Sequence, residues 1–273
     1  MLSNLDREIL YALDPVARVE DQYDLDFKLD PTQAEFLACD SARIIVKCCR
    51  QWGKSTTAAA LAATDTELGK GLTLIVAPSD RQARECFAKC SGMLHAAYPD
   101  EKWIVDGRTE LMRPNHARVV AVPTKGQIRG FSNPRRIIID EAAFAADEDY
   151  KAKIRPMLSH GGKVVLLSTP FGKRGFFWDI WTNHLDKWKS FEVPASKCTH
   201  IPREFLEEER LALGPAWYSQ EYEGVFLDSI SSFFDMDAVR AGLQLGIEPL
   251  FAYNTEGVSG ADPSIQPLIL EVA

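Results

Sequence analysis

The feature that most constrains this chain is a β-branched run, Ala42 to Lys47 (ARIIVK), leading into Arg50-Gln51-Trp52-Gly53-Lys54-Ser55-Thr56 and then an alanine-rich stretch. The first segment has the pattern of a buried strand, and the alanines and leucine after the loop favour a helix. A strand, a glycine-containing loop and a helix in that order aim backbone N–H groups, with the helix dipole behind them, at one point where an anion can sit. Gly53 lets the backbone close on a phosphate where a side chain would intrude. Lys54 is placed to reach β- and γ-phosphates, and the Ser55 hydroxyl is a ligand for Mg2+. The usual pattern is G-x-x-x-x-G-K-[ST], and its first glycine position holds Cys48 here.

A second element supports the first. Arg135 to Asp140 (RRIIID) predicts a buried strand that ends in Asp140-Glu141. Open α/β sheets bind ligands beyond the C-terminal ends of their strands, where this pair falls. Asp140 is the candidate partner of the metal and Glu141 the candidate group that orients and deprotonates an attacking water. A solvated acidic pair at a strand end is common, but the glycine loop and this pair occur in the order of a nucleotide-hydrolysing site.

Strand-like runs at 72–79, 135–140, 163–170 and 187–195 alternate with helical patterns at 80–97, 143–158 and 176–185, and 103–122 has the texture of a β-meander. This predicts an α/β fold of the P-loop NTPase type, a mainly parallel sheet with helices on both faces, followed by a small C-terminal helical linker subdomain. The expected organisation is an N-terminal lead-in over 1–30, a helix followed by loosely ordered acidic chain. An ATPase core over 31–200, helical linker stretches over 201–232 and a weakly patterned tail over 233–273 follow. Pro31 suits the first turn of a short helix after Asp30.

Composition excludes several classes. The apolar runs are too short to span a bilayer and the N-terminus carries acids among its apolar residues, so the expected location is cytoplasmic, without membrane attachment. The net charge of −8 argues against a protein that coats nucleic acid over its whole surface. Between Gly107 and Arg136, however, seven cations (Arg108, Arg113, Arg118, Lys125, Arg129, Arg135 and Arg136) accompany one acid, Glu110. Such a patch suits phosphate contacts and equally suits a solvated face. The six cysteines show no paired CxxC spacing; Cys86 and Cys90 lie near His95, but buried thiols are the expectation rather than a metal site.

With these residues in place the chain resembles the large subunits of viral terminases over roughly residues 30–228. The phosphate loop of that family often lacks its first glycine and opens with arginine and glutamine, as Arg50-Gln51 does before Gly53-Lys54-Ser55. Gln33 in DPTQAEF matches a family glutamine that recognises adenine. Arg129-Gly130 matches an arginine–glycine pair that precedes the acidic strand, Ser168-Thr169-Pro170 matches a coupling motif, and YSQEYEGVF (218–226) matches the end of the ATPase region. The resemblance implies ATP and Mg2+ as cofactors, with Gln33 and residues Arg50 to Thr56 contacting nucleotide and Ser55 and Asp140 on the metal. It implies catalysis by Lys54 and Glu141 with an arginine finger. Arg129, supplied to a neighbour's nucleotide, is favoured as that finger over Arg50, which lies in the loop and could act in cis or be tethered to an acidic partner. The implied partners are double-stranded DNA, a homo-oligomeric ring on a capsid portal and a small terminase subunit.

Two other readings compete. APSDRQARE and DEAA resemble segments of helicase-like DNA-dependent ATPases. A non-catalytic nucleotide-binding assembly module is the third, against which the intact Lys54, Ser55, Asp140 and Glu141 count. The family's C-terminal metal-dependent nuclease is expected to be absent or truncated, because Asp262 is followed by a single acid, Glu271, too few to hold two metals.

Overall fold

The computed structural model describes residues 9–11, 13–23, 25, 28–69, 71–126 and 128–228. Eight strands among them form one sheet. They are β1 (Arg43–Cys48), β2 (Leu72–Ala77), β3 (Val105–Asp106), β4 (Glu110–Met112), β5 (Arg118–Pro123), β6 (Arg136–Asp140), β7 (Lys163–Ser168) and β8 (Lys189–Val193), in the spatial order β3-β4-β5-β2-β6-β7-β1-β8. The six strands from β5 to β8 in that order are parallel, and β3 and β4 complete one edge as an antiparallel meander. Because β7 lies between β1 and β6, the loop after β1 and the acids after β6 are two strand spacings apart, roughly 10 Å.

The helices are α1 (Pro15–Gln22), α2 (Pro31–Ala38), α3 (Lys54–Leu68), α4 (Asp80–Ala97), α5 (Asp147–Asp149), α6 (Arg155–Met157), α7 (Gly175–Asn183) and α8 (Arg203–Glu221). Alternation along the strands decides what each face covers. Ile44, Val46, Ile75, Ile138, Val165 and Leu167 face α1 to α4, whereas Ile45, Leu74, Ile137, Ile139 and Leu166 face Tyr150, Ile154 and the aromatic side of α7. The near-continuous alanine run of α3 follows from its position, since a helix buried on most sides against both strands and α4 has room only for small side chains. No helix among the described residues is long and apolar enough to cross a membrane.

The helix expected in the lead-in is present as α1, packed onto the core. Asp14 caps α1, Val19 and Tyr23 enter the core, and Arg18 reaches the buried Glu67 at 2.6 Å. Its charged appearance hid a buried partner on α3, which local sequence cannot reveal. The stretch 143–158 is not one helix: a 3-10 turn at Ala142–Phe144 is followed by α5, a π-helical turn at Tyr150–Ile154 and α6. Pro156 has no N–H to continue an α-helical ladder, and the turn before it is widened. The two helical stretches after residue 201 are joined in α8 across a kink at Gly214 (φ 73°), before Pro215, and the helix stops at Glu221 rather than continuing to Phe226.

The basic segment also resolves differently. Arg113 pairs with Glu101 and Arg118 with Glu110, while Arg136 is buried against Asp65, which also draws Arg135. Four of the seven cations are therefore committed to carboxylates within the chain, and the patch is largely structural.

Candidate functional site

The loop between β1 and α3 is held by contacts that its own sequence does not announce. Gly53 sits at φ 89°, in the left-handed region, where a Cβ would come 3.0 Å from Gln33 Nε2. Gln51 is left-handed as well, at φ 61°. Trp52 is fully buried, its indole Nε1 donating to Asp30 Oδ2 at 2.7 Å while its carbonyl accepts from Gln33 Nε2 at 2.8 Å. Asp30 is also the N-cap of α2, in a capping box with Gln33. One helix start thus clamps the loop on its core side.

Two further contacts hold the outer side. The Arg50 guanidinium meets Glu221 at 2.9 Å, and its backbone N–H donates to the Glu221 carbonyl at 2.8 Å. Gln51 O lies 2.9 Å from His200 Nε2. Arg50 is therefore tethered, and its acidic partner comes from the end of α8, in the segment expected to close the ATPase region. Gln33 is only 1% exposed, with both ends of its amide engaged, and serves here as a strut of the loop.

The loop, the end of β6 and the end of β7 converge. Ser55 Oγ donates to Asp140 Oδ2 at 2.6 Å, joining residues 85 positions apart. Lys54 Nζ is 3.0 Å from Glu141 Oε1, and Ser168 Oγ donates to Glu141 Oε2 at 3.4 Å. Glu141 itself is left-handed at φ 55°, a costly backbone state for glutamate that turns the chain sharply off β6, and its N–H donates to Asp140 Oδ1. Burial raises the Asp140 pKa above the usual carboxylate range, against the Ser55 hydrogen bond that lowers it. Burial works against the Lys54 charge, but Cys48, Glu141 and Asp140 together outweigh it and hold Lys54 above the ordinary lysine range.

Ser168 and Thr169 are buried, and the chain beyond Pro170 connects outward: Gly172 N–H donates to Gln220 Oε1 at 3.3 Å, next to the Glu221 that holds Arg50. Arg129 lies in the 3-10 turn Ile128–Gly130, and its side chain falls outside the described residues. Thr56 Oγ1 accepts from Lys89 at 3.1 Å. Asp262 and the tail also lie outside the described residues.

Reasoning from sequence did not find Asp30, His200, Gln220 or Glu221. Asp30 was legible as a helix cap, but nothing local tied it to Trp52. The cysteines near His95 form no metal cluster among the described residues: Cys86 and Cys90 are buried, and burial drives both thiols upward in pKa.

Together these side chains form a hydroxyl–carboxylate pair, an ammonium–carboxylate pair and a left-handed glycine loop at the C-terminal edge of a parallel sheet. Comparisons with known proteins agree with that architecture. The ATPase domain of the Thermus phage P74-26 large terminase superposes with a TM-score of 0.63 at 22% identity, covering 74% of this chain and 96% of that one. The large terminase of the thermophilic bacteriophage D6E superposes with a TM-score of 0.63 at 14% identity, covering 77% of this chain and 57% of that protein; it has also been solved with ATP-gamma-S. The HK97 bacteriophage large terminase gives 0.59 at 17% identity over 85% of this chain and 51% of that one. The chain thus spans little more than half the length of the D6E and HK97 proteins. No curated protein matches the sequence. Residues 47–240 match the family described as terminase large subunit, T4likevirus-type, N-terminal, and with most of its length in that match the chain belongs to the terminase large subunit family.

Proposed function

We propose that this chain hydrolyses ATP with Mg2+ and uses the energy to drive double-stranded DNA into a viral capsid. The observation that carries the reading is the convergence of Ser55 with Asp140 at 2.6 Å and of Lys54 with Glu141 at 3.0 Å beside a left-handed glycine loop. Ser55 and Asp140 are hard oxygen donors in direct contact, which suits Mg2+; these two residues would hold the ion, whose charge would neutralise the phosphate oxygens. Lys54 binds the terminal phosphate. Glu141 holds the attacking water and accepts its proton, with Ser168 fixing the carboxylate's second oxygen. Gln33, Gln51, Trp52, Gly53 and Thr56 shape the loop on which the phosphates lie, Gln33 acting through the loop it braces.

Arg129 supplies the transition-state charge to a neighbouring subunit, and Arg50 is held for loop positioning by Glu221. Ser168, Thr169 and Pro170 pass the state of the site along Gly172 and Gln220 to the end of α8. The working form is a homo-oligomeric ring on a capsid portal, loaded with DNA through a small terminase subunit.

Steady-state ATPase measurements with and without duplex DNA, across protein concentration, test this. The expected result is stimulation by DNA and a rate per chain that rises with concentration. Arg129→Ala lowers turnover by about 10³-fold, the scale of arginine fingers, without changing nucleotide affinity. Undiminished turnover in Lys54→Ala would overturn the assignment of the site. Full activity of Arg129→Ala under assembling conditions would remove the trans finger alone.

A further inference from the structure

The opposite edge of the sheet carries a second concavity. Arg43 opens β1 beside Val164 of β7, so a cavity lined by both lies at the N-terminal ends of the strands, about 20 Å along a six-residue strand from the phosphate loop. Its volume is about 470 Å³, within the usual range of ligand pockets. Tyr150 and Phe176 lie in its wall, stacked with centroids 4.0 Å apart and planes 9° from parallel. Arg43, Arg155 and Lys187 surround them, and none of the three has an ion-pair partner among the described residues. The one carboxylate lining the cavity, Asp179, accepts from Asn183 at 2.8 Å and lies 3.6 Å from His184.

Tyr150 is the informative residue. It is 5% exposed, it sits in the π-helical turn, and its hydroxyl has no hydrogen-bond partner among the described residues. The ring is buried but the hydroxyl oxygen is not an enclosed atom, so it is open to a molecule held in the cavity that Tyr150 lines. Burial pushes the Tyr150 pKa upward, with Arg155 and Arg43 pulling against it, so the hydroxyl remains a donor at neutral pH. A phenol donor lining one cavity with two guanidiniums that have no ion-pair partner among the described residues is a set of donors that complements an oxyanion with several acceptor oxygens.

We propose that this cavity binds a phosphate group through Tyr150, Arg43 and Arg155, presented either by a DNA backbone or as free phosphate, at a site separate from the nucleotide loop. The full chain is used for the test. In a Lys54→Ala background, which weakens the loop's own hold on phosphate, inorganic phosphate binding is followed by phosphorus NMR line broadening. Binding of a short fluorescein-labelled duplex is followed by anisotropy without nucleotide. Tyr150→Phe removes the hydroxyl alone, changes no charge and leaves the stacked ring.

The expected result is a loss of phosphate affinity of about fivefold in Tyr150→Phe, the scale of one hydrogen bond, and of at least about tenfold in Arg43→Gln/Arg155→Gln. Duplex affinity and its salt slope falling in parallel identify the DNA backbone as the source. Unchanged duplex affinity identifies free phosphate. The proposal is overturned if neither variant alters phosphate binding, or if the parent binds no phosphate. It is equally overturned if only the arginine variant has an effect, since that is the behaviour of a merely cationic surface.

Discussion

Lys54 and Glu141, which reach the site from α3 and from the turn after β6, stand 3.0 Å apart at Nζ and Oε1. The ammonium that would grip a terminal phosphate and the carboxylate that would activate water are thus each other's counter-ion. On the proposed function, a phosphate arriving at Lys54 would compete with Glu141 for the same charge, and the released Glu141, still bonded by Ser168, would become available to water.

Replacing Glu141 by Gln keeps the shape of this contact and removes the base. Turnover is expected to fall by about 10²–10⁴-fold, the usual contribution of a general base. ATP should bind as tightly as in the parent, or more tightly, because Lys54 no longer faces a carboxylate. Single-turnover hydrolysis together with filter binding distinguishes the two effects, and a loss of binding would place Glu141 in substrate capture instead of chemistry.

Arg50 and Glu221 form the corresponding tether on the outer side of the loop. The Arg50 side chain is 65% exposed, so breaking the pair should cost under about 1 kcal/mol of stability after solvent screening. Turnover should respond more. If Arg50 works through Glu221, Arg50→Ala, Glu221→Gln and the double variant lose activity to the same extent. Additive losses in a double-mutant cycle on kcat would show that Arg50 acts on phosphate independently.

Trp52 to Phe deletes one donor and leaves Asp30 buried without its 2.7 Å partner. A hydrogen bond to a charged group is worth about 2 kcal/mol, equivalent to a melting temperature lower by roughly 4–8 °C in a domain of this size. The loop it anchors should loosen, raising KM for ATP more than it lowers kcat. Thermal melts and steady-state kinetics check both parts; an unchanged KM would sever the link between Trp52 and the loop.

Asp140 gives a pH dependence with a defined sign. Burial raises its folded pKa above the unfolded value, so the fold prefers its protonated form. The ionised side chain costs stability above the folded pKa, and that cost is relieved as pH falls toward the ordinary aspartate range near about 4. Asp140→Asn should therefore melt above the parent at neutral pH in metal-free buffer, with the gap closing on acidification, while ATPase activity is lost. A gap that widened as pH fell would reverse the assignment.

Much of the molecule was legible in one dimension. The β-branched runs at Ile44–Val46, Leu74–Val76 and Ile137–Ile139 dictate buried parallel strands, because only a sheet covered on both faces accommodates such continuous apolar side chains. The order of Gly53-Lys54-Ser55 and Asp140-Glu141 likewise marks where side chains converge at the strand ends, since each motif depends on residues adjacent in the chain. What local sequence could not supply is pairing between distant charges. Asp65 buries Arg136 and draws in Arg135, Glu101 and Glu110 take Arg113 and Arg118, and Glu221 takes Arg50. A charged side chain looks the same in sequence whether it faces water or a buried partner, and only the folded chain brings that partner near. For the same reason the strand–loop–helix unit was readable from residues 42–69, whereas its brace by Trp52, Asp30 and Gln33, and the gathering of Tyr150, Arg43 and Arg155 around one cavity at the N-terminal ends of the strands, were decided by tertiary packing alone.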